Sequence, residues 1–129
     1  MRHKVKPVPD LEAPKRILVV DDEQDIQTFV SIILGHTGFH VECAGDGYQA
    51  LEKIDALRPD LVVLDLMMPG LDGWAVLEEL RRRPQRPRVV VLSACADPDR
   101  AAREGAVGCL AKPFHPRDLI RVCSEALAA

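Results

Sequence analysis

Arg16-Ile17-Leu18-Val19-Val20-Asp21-Asp22-Glu23 decides the fold. An apolar run that ends abruptly in acidic residues reads as a strand whose carboxyl end meets solvent. The form recurs at Leu61-Val62-Val63-Leu64-Asp65, which is nearly all apolar, as a central strand covered on both faces should be. It returns at Arg88 to Leu92, followed by Ser93, and at Val107 to Ala111, followed by Lys112. A fifth strand is expected at 39–43.

Helical patterns lie between the strands. Over 24–35, Ile26, Phe29, Val30, Ile33 and Leu34 recur at the spacing of one helix face. A second helix over 47–57 would bury Ala50, Leu51, Ile54 and Leu57, with Asp46 as its N-cap. Asp72 caps a third, from Gly73 to about Arg82. Asp97-Pro98-Asp99 places proline at the first helical position after a capping aspartate, and opens a short helix to about Glu104. Pro116 begins the last helix, which buries Leu119, Ile120, Cys123 and Leu127. The pattern is (βα)5. It predicts an α/β doubly wound, five-stranded parallel sheet with helices on both faces, in the flavodoxin-like order 2-1-3-4-5.

The chain has 129 residues, 47% of them apolar, enough for one domain with a real core. Residues 1–14, with Pro7, Pro9 and Pro14, read as a flexible Pro-rich leader, and 15–129 as the folded domain. A net charge of −3 argues against sequence-independent nucleic-acid binding. Neither a signal peptide nor a run of about 20 apolar residues is present, so a cytoplasmic protein without membrane attachment is expected. Cys43, Cys95, Cys109 and Cys123 show no metal-ligand spacing and read as small buried hydrophobes. His3, His36, His40 and His115 form no catalytic pair in sequence, and His115 is expected to face solvent. The basic stretch Arg81-Arg82-Arg83, with Arg86 and Arg88, reads as a solvated helix end, and Trp74 as partial core packing.

In the order 2-1-3-4-5, strands one, three, four and five are neighbours. Their carboxyl ends carry Asp21 and Asp22, Asp65, Ser93 and Lys112, and ligands collect beyond such ends. An aspartate pair after a strand is alone a common turn feature; the joint placement is what is specific. Two like charges about 4 Å apart cost roughly 4 kcal/mol at an effective dielectric near 20. One lysine cannot neutralise three carboxylates, but a divalent cation can. Oxygen donors suit Mg²⁺, Mn²⁺ or Ca²⁺ rather than zinc. The cation would let a phosphoryl group approach Asp65, which could act as the nucleophile. Lys112 and the Ser93 hydroxyl would then hold the phosphoryl oxygens.

These segments resemble the receiver domain of two-component response regulators. The likeness is carried by Ile17 through Glu23, Leu64 through Gly73, Leu92-Ser93-Ala94 and Lys112-Pro113-Phe114, with Ala44 through Leu51 also matching, and covers about residues 16–127. It implies that Asp65 is the phosphoacceptor, charged by a histidine kinase or a histidine phosphotransfer protein. It implies Mg²⁺ held directly by Asp22, Asp65 and the Met67 carbonyl, with Asp21 acting mostly through water. It further implies a phosphoryl contact from Lys112, a cis Lys112–Pro113 bond and a switch hydroxyl at Ser93. A downstream protein would dock on the face made by helix four, strand five and helix five, and a dimer is possible. Such a domain assists its own phosphorylation and dephosphorylation and has no separate substrate, so it is not an enzyme in the usual sense.

One position departs from the pattern. Receivers usually carry Tyr or Phe three places before the lysine; here Cys109 stands there. A phosphorylation-independent interaction module with an atypical switch is therefore a competing reading. Another is a receiver cut from a longer, DNA-binding regulator. A flavin or mononucleotide protein would need a glycine- or hydroxyl-rich loop where Asp21 to Asp25 stand. A haloacid-dehalogenase-type phosphatase would need an aspartate at Met67.

Overall fold

Along β1 (Arg16–Val20), successive side chains leave the sheet on opposite faces, and both faces are apolar. Leu18 and Val20 join one core layer, Ile17 and Val19 the other. The same division runs through β3 (Leu61–Asp65) and β4 (Arg88–Ser93): Val62, Leu64, Val89 and Val91 face one way, Leu61, Val63, Val90 and Leu92 the other. A strand apolar on both sides must be covered on both sides, which requires helices above and below.

The computed structural model describes residues 13–94 and 97–128. It shows a parallel sheet in the order β2-β1-β3-β4-β5, as expected. β2 (His40–Ala44) pairs with β1 from Arg16 opposite His40 to Val20 opposite Ala44. β5 (Gly108–Ala111) forms the other edge, with Ser93 opposite Ala111. α1 (Gln24–His36) and α5 (Pro116–Ala128) cover one face; α2 (Gly47–Leu57), α3 (Gly73–Arg81) and α4 (Pro98–Arg103) cover the other. The three inner strands are buried almost throughout, and each large apolar side chain removed from water contributes about 2 kcal/mol.

The expected caps form. Asp46 accepts from the Gln49 N–H at 2.7 Å, Asp72 from Ala75 at 2.9 Å and Asp97 from Arg100 at 3.1 Å. β2 begins one residue later than its apolar pattern suggests. The Phe39 N–H is taken by the Leu34 carbonyl at 3.2 Å, closing the end of α1 over Gly38, whose φ is +100°. β5 likewise begins at Gly108, leaving Val107 exposed.

Some expectations of burial need correction: on α2, Ala50 and Ile54 are buried but Leu51 and Leu57 only partly. Phe29 lies at the rim of the α1 stripe and is 44% exposed, its ring resting on Phe114 at 5.9 Å between centroids. On α5 the fully covered residues are Leu119, Cys123 and Ala126, while Ile120 and Leu127 lie at the flanks of the stripe. Of the cysteines, Cys123 is buried, Cys43 and Cys109 are half-buried and unpaired, and Cys95 lies outside the described residues. So do residues 1–12 of the proposed leader.

α3 is seated directly against the end of β3. A Cβ on Gly73 would collide with the Asp65 carbonyl oxygen and lie 2.6 Å from the Leu66 Cα. Both obstacles are backbone and cannot swing aside. Gly73→Ala is therefore expected to lower unfolding free energy by about 2 kcal/mol or more in a denaturant titration.

Burial pushes the Cys123 thiol up to about 12 from an ordinary 9.0. The unfolded chain loses this proton first, so the stabilising contribution is complete below pH 9 and is lost as pH rises toward 12. Unfolding free energy should fall across that window by up to about 1.4 kcal/mol per pH unit from this group. Cys123→Ala should flatten that part of the fall, and native Cys123 should resist alkylation at pH 8.

Candidate functional site

β1 and β3 end side by side, and each delivers a carboxylate where the apolar run stops. Asp21 is fully buried and Asp65 is 3% exposed, while Asp22 is exposed to solvent. Asp21, Asp22 and Asp65 each offer an oxygen within 4.8 Å of the others. Each buried carboxylate is also fixed by local backbone. Asp21 Oδ1 accepts the Glu23 N–H at 2.9 Å, and Asp65 Oδ1 accepts the Met67 N–H at 3.1 Å. Both are turns in which an aspartate side chain bonds the backbone two residues on. Gln27 Nε2 donates to the Asp21 carbonyl at 2.7 Å, tying α1 to the strand end.

Lys112 arrives from the end of β5. Its backbone N–H donates to the Ser93 carbonyl at 3.0 Å, and the Lys112–Pro113 peptide bond is cis. The ammonium lies 2.8 Å from Asp21 Oδ2 and 3.5 Å from Asp65 Oδ2. Ser93 is fully buried at the end of β4, one residue beyond the Asp65–Leu92 register pair.

Two upward shifts record this crowding. Burial raises the Asp65 carboxyl above its ordinary range; the charges of Asp21 and Asp22 add to the rise, while the Met67 N–H and Lys112 oppose it. For Lys112, burial pulls downward, but the hydrogen bond and charge of Asp21, helped by Asp65 and Glu23, outweigh it and hold the amine above its ordinary value. Lys112 is thus firmly charged, and Asp65 is a carboxylate made basic by its lack of water. A group of this kind is easier to neutralise by a bound cation or by a new bond at one oxygen.

Cys109 does not join the carboxylates. It sits on β5 opposite Val91, half-buried against the layer of α2, α3 and α4, and burial with the Asp97 charge raises its thiol. Trp74 is half-buried in the same layer, and the Arg100 guanidinium stacks over its ring at 3.8 Å. That stack, linking α3 to α4, had no signal in sequence because the partners are far apart along the chain. The same holds for Gln27. The steric need for glycine at 73 was signalled only by its place after a capping aspartate. His115 is exposed, and its Nδ1 accepts the Arg117 N–H at 3.2 Å. Among the described residues, no helix is long and apolar enough to cross a membrane.

Comparison with known proteins agrees with this geometry. A family profile described as "Response regulator receiver domain" matches residues 17–124. The DNA-binding response regulator MtrA of Mycobacterium tuberculosis is 41% identical over 109 residues, which cover 82% of this chain and 47% of that protein. The alkaline phosphatase synthesis transcriptional regulatory protein PhoP of Bacillus subtilis is 40% identical over 108 residues, covering 81% and 45%. The chain therefore spans less than half the length of these curated relatives. Among solved structures, the receiver domain of NtrX from Brucella abortus superposes with a TM-score of 0.82 at 38% identity, covering 88% of this chain and 98% of that one. Chemotaxis protein CheY4 of Vibrio cholerae gives 0.83 at 31%, covering 88% and 99%. With the profile running from the first strand into the last helix, this chain belongs to the receiver domains of two-component response regulators.

Proposed function

We propose that Asp65 accepts a phosphoryl group from a histidine kinase or a histidine phosphotransfer protein, and that the resulting aspartyl phosphate changes how the α4–β5–α5 face binds a downstream protein. The observation that carries the reading is the convergence of three carboxylates from two strand ends, two of them in contact with one partly buried lysine. A structural ion pair needs one carboxylate per lysine; this arrangement leaves negative charge to be neutralised by something else.

The donor set fits a hard divalent cation, since every side-chain ligand is a carboxylate oxygen and one of the three aspartates is open to solvent. Asp22, Asp65 and the Met67 carbonyl would hold Mg²⁺, with Asp21 acting through water. There the ion would supply charge neutralisation for the phosphoryl oxygens.

The chain's own groups account for the rest. An Asp65 carboxylate oxygen forms a bond to phosphorus while the donor's N–P bond breaks, and the imidazole leaves with the bonding pair. The Met67 N–H on Oδ1 holds the carboxylate plane, so one oxygen is presented in a fixed direction. Lys112 transfers its attraction from the two aspartates to the phosphoryl oxygens, and Ser93 donates its hydroxyl to another. Positioning and charge stabilisation supply most of what phosphoryl transfer needs.

Cys109 favours a second reading, an interaction module that works without phosphorylation. A thiol fills much less space than an aromatic ring, so the coupling usual in receivers cannot run through this position. The relatives are named as transcriptional or DNA-binding regulators and are about twice as long. DNA binding, on this proposal, belongs outside this domain, which acts in the cytoplasm through protein contacts.

Incubation with Mg²⁺ and acetyl phosphate, followed by intact mass, should show a gain of one phosphate in the parent and none in Asp65→Asn. Absence of a gain with acetyl phosphate and with a histidine-kinase donor alike would leave the phosphorylation-independent reading. Separately, Lys112→Met should bind Mg²⁺ about tenfold more tightly in a calorimetric titration, because a competing cation has left the carboxylates. The same variant should accumulate less aspartyl phosphate.

A further inference from the structure

The opposite end of the sheet, where β3 and β4 begin, holds a second polar concavity. α2 ends there at Arg58 and α3 runs out toward Pro87, and between the two connections lies a cleft of about 930 Å³. That volume is in the range of small-molecule sites. Arg58, Arg83, Arg86 and Arg88 line it, together with Asp55 and Asp60. Arg83 is paired with Asp55 and Glu79 and Arg88 has a further partner, so Arg58 and Arg86 are the arginines of the lining without an ionic partner among the described residues.

Both carboxylates are already engaged. Asp55 receives two bonds from the Arg83 guanidinium, at 3.1 and 3.0 Å, and Asp60 Oδ2 accepts the Arg16 backbone N–H at 2.8 Å. The neighbouring arginines outside the cleft are neutralised as well. Arg82 pairs with Glu78 and Glu79, and Arg81 with Glu104. Within the basic stretch, Arg81, Arg82 and Arg83 are therefore ion-paired, while Arg86 lines the concavity without an ionic partner among the described residues. Arg86 reaches the Arg81 carbonyl at 3.1 Å with one nitrogen, which leaves further donors on its fork. Among the described residues, the Arg58 side chain has no ionic partner.

Arg58 also carries backbone strain. It caps α2 with φ 49° and ψ 62°, the one non-glycine residue at positive φ among those described. Glycine is the residue that fills this position without cost, because it has no Cβ to clash. A long cationic side chain held there at the expense of stability points to a task other than folding. Ile54, Pro59, Pro84 and Pro87 form the apolar and stiff part of the wall. From these observations we infer that the cleft is a binding site for a small molecule carrying a chain of phosphates. Arginine forks match phosphate oxygens in pairs. The site is separate from the carboxylate cluster and does not depend on the phosphorylation proposed above.

The test is calorimetric titration of the full chain, in low salt with EDTA, using inorganic tripolyphosphate and ATP as probes, with amide chemical shifts recorded alongside. Saturable binding below about 1 mM is expected, with shifts at Arg58 and Arg86 to Arg88. Arg58→Gly should bind about tenfold more weakly while its thermal midpoint equals or exceeds the parent's, since the variant loses a cation and gains an unstrained cap. Arg86→Gln should weaken binding to a similar degree and serves as the second variant. Equal affinity for the two probes would assign recognition to the phosphates alone; tighter binding of ATP would add a base contact on the Ile54 and proline wall. The inference is overturned by absence of saturable binding, by unchanged affinity in both variants, or by shifts confined to the surroundings of Asp65 and Lys112.

Discussion

The contact of one partly buried ammonium with two buried carboxylates is the constraint around which the top of this molecule is organised. Lys112 at 2.8 Å from Asp21 and 3.5 Å from Asp65 offsets part of the repulsion created when two strand ends bring their aspartates together. Burial above all, with the charges of Asp21 and Asp22 adding to it, keeps the affinity of Asp65 for a proton raised. The frustration is local and is kept in place by stable surroundings. The strands behind the aspartates are buried, backbone N–H groups fix one oxygen of each carboxylate, and α3 closes against the β3 end at Gly73. An uncompensated site of this kind persists only where the rest of the fold supplies a surplus of stability.

The two-sided apolar strands supply it. Because β1, β3 and β4 send alternate side chains into separate layers, the sheet is held from both faces, and its carboxyl edge is presented as a rigid rim. The layers also differ in what they could transmit. Cys109, Trp74 and Ala101 share the layer of α2 to α4, and the Arg100–Trp74 stack joins two of its helices. Cys109 stands there where receivers usually place a ring. The acidic rim and the arginine-lined floor lie at opposite ends of the same strands, which segregates charge along the strand direction.

Much of the fold was legible because it rests on short-range chemistry. Four-residue apolar runs ending in polar residues mark strands, and Asp46, Asp72 and Asp97 cap helices using atoms within three residues. The candidate site residues were legible for a related reason: in a parallel sheet, the residue after each strand falls on one edge. Burial at the rims was not legible. Phe29 matches the helix period yet lies partly in solvent, because the width of the covered stripe is set by where α5 and the Lys112–Phe114 turn come to rest. The roles of the arginines were equally hidden. Arg83 and Asp55 are 28 residues apart, and only the packing of α2 beside α3 shows that one arginine is neutralised while Arg58 faces a cleft.

The amino-acid sequence by itself determined the five βα units, their caps, the two-sided core and the identity of the groups at the strand ends, because each follows from periodicity or from bonds between near neighbours. The tertiary structure alone decided which carboxylate Lys112 approaches more closely, how deeply Asp21 and Asp65 are taken from water while Asp22 stays exposed, and where Cys109 and Trp74 lie relative to the site. Those outcomes depend on distances between segments far apart in the chain, and electrostatic strength depends on distance and burial together. No reading of residue order can supply either quantity until the sheet has closed.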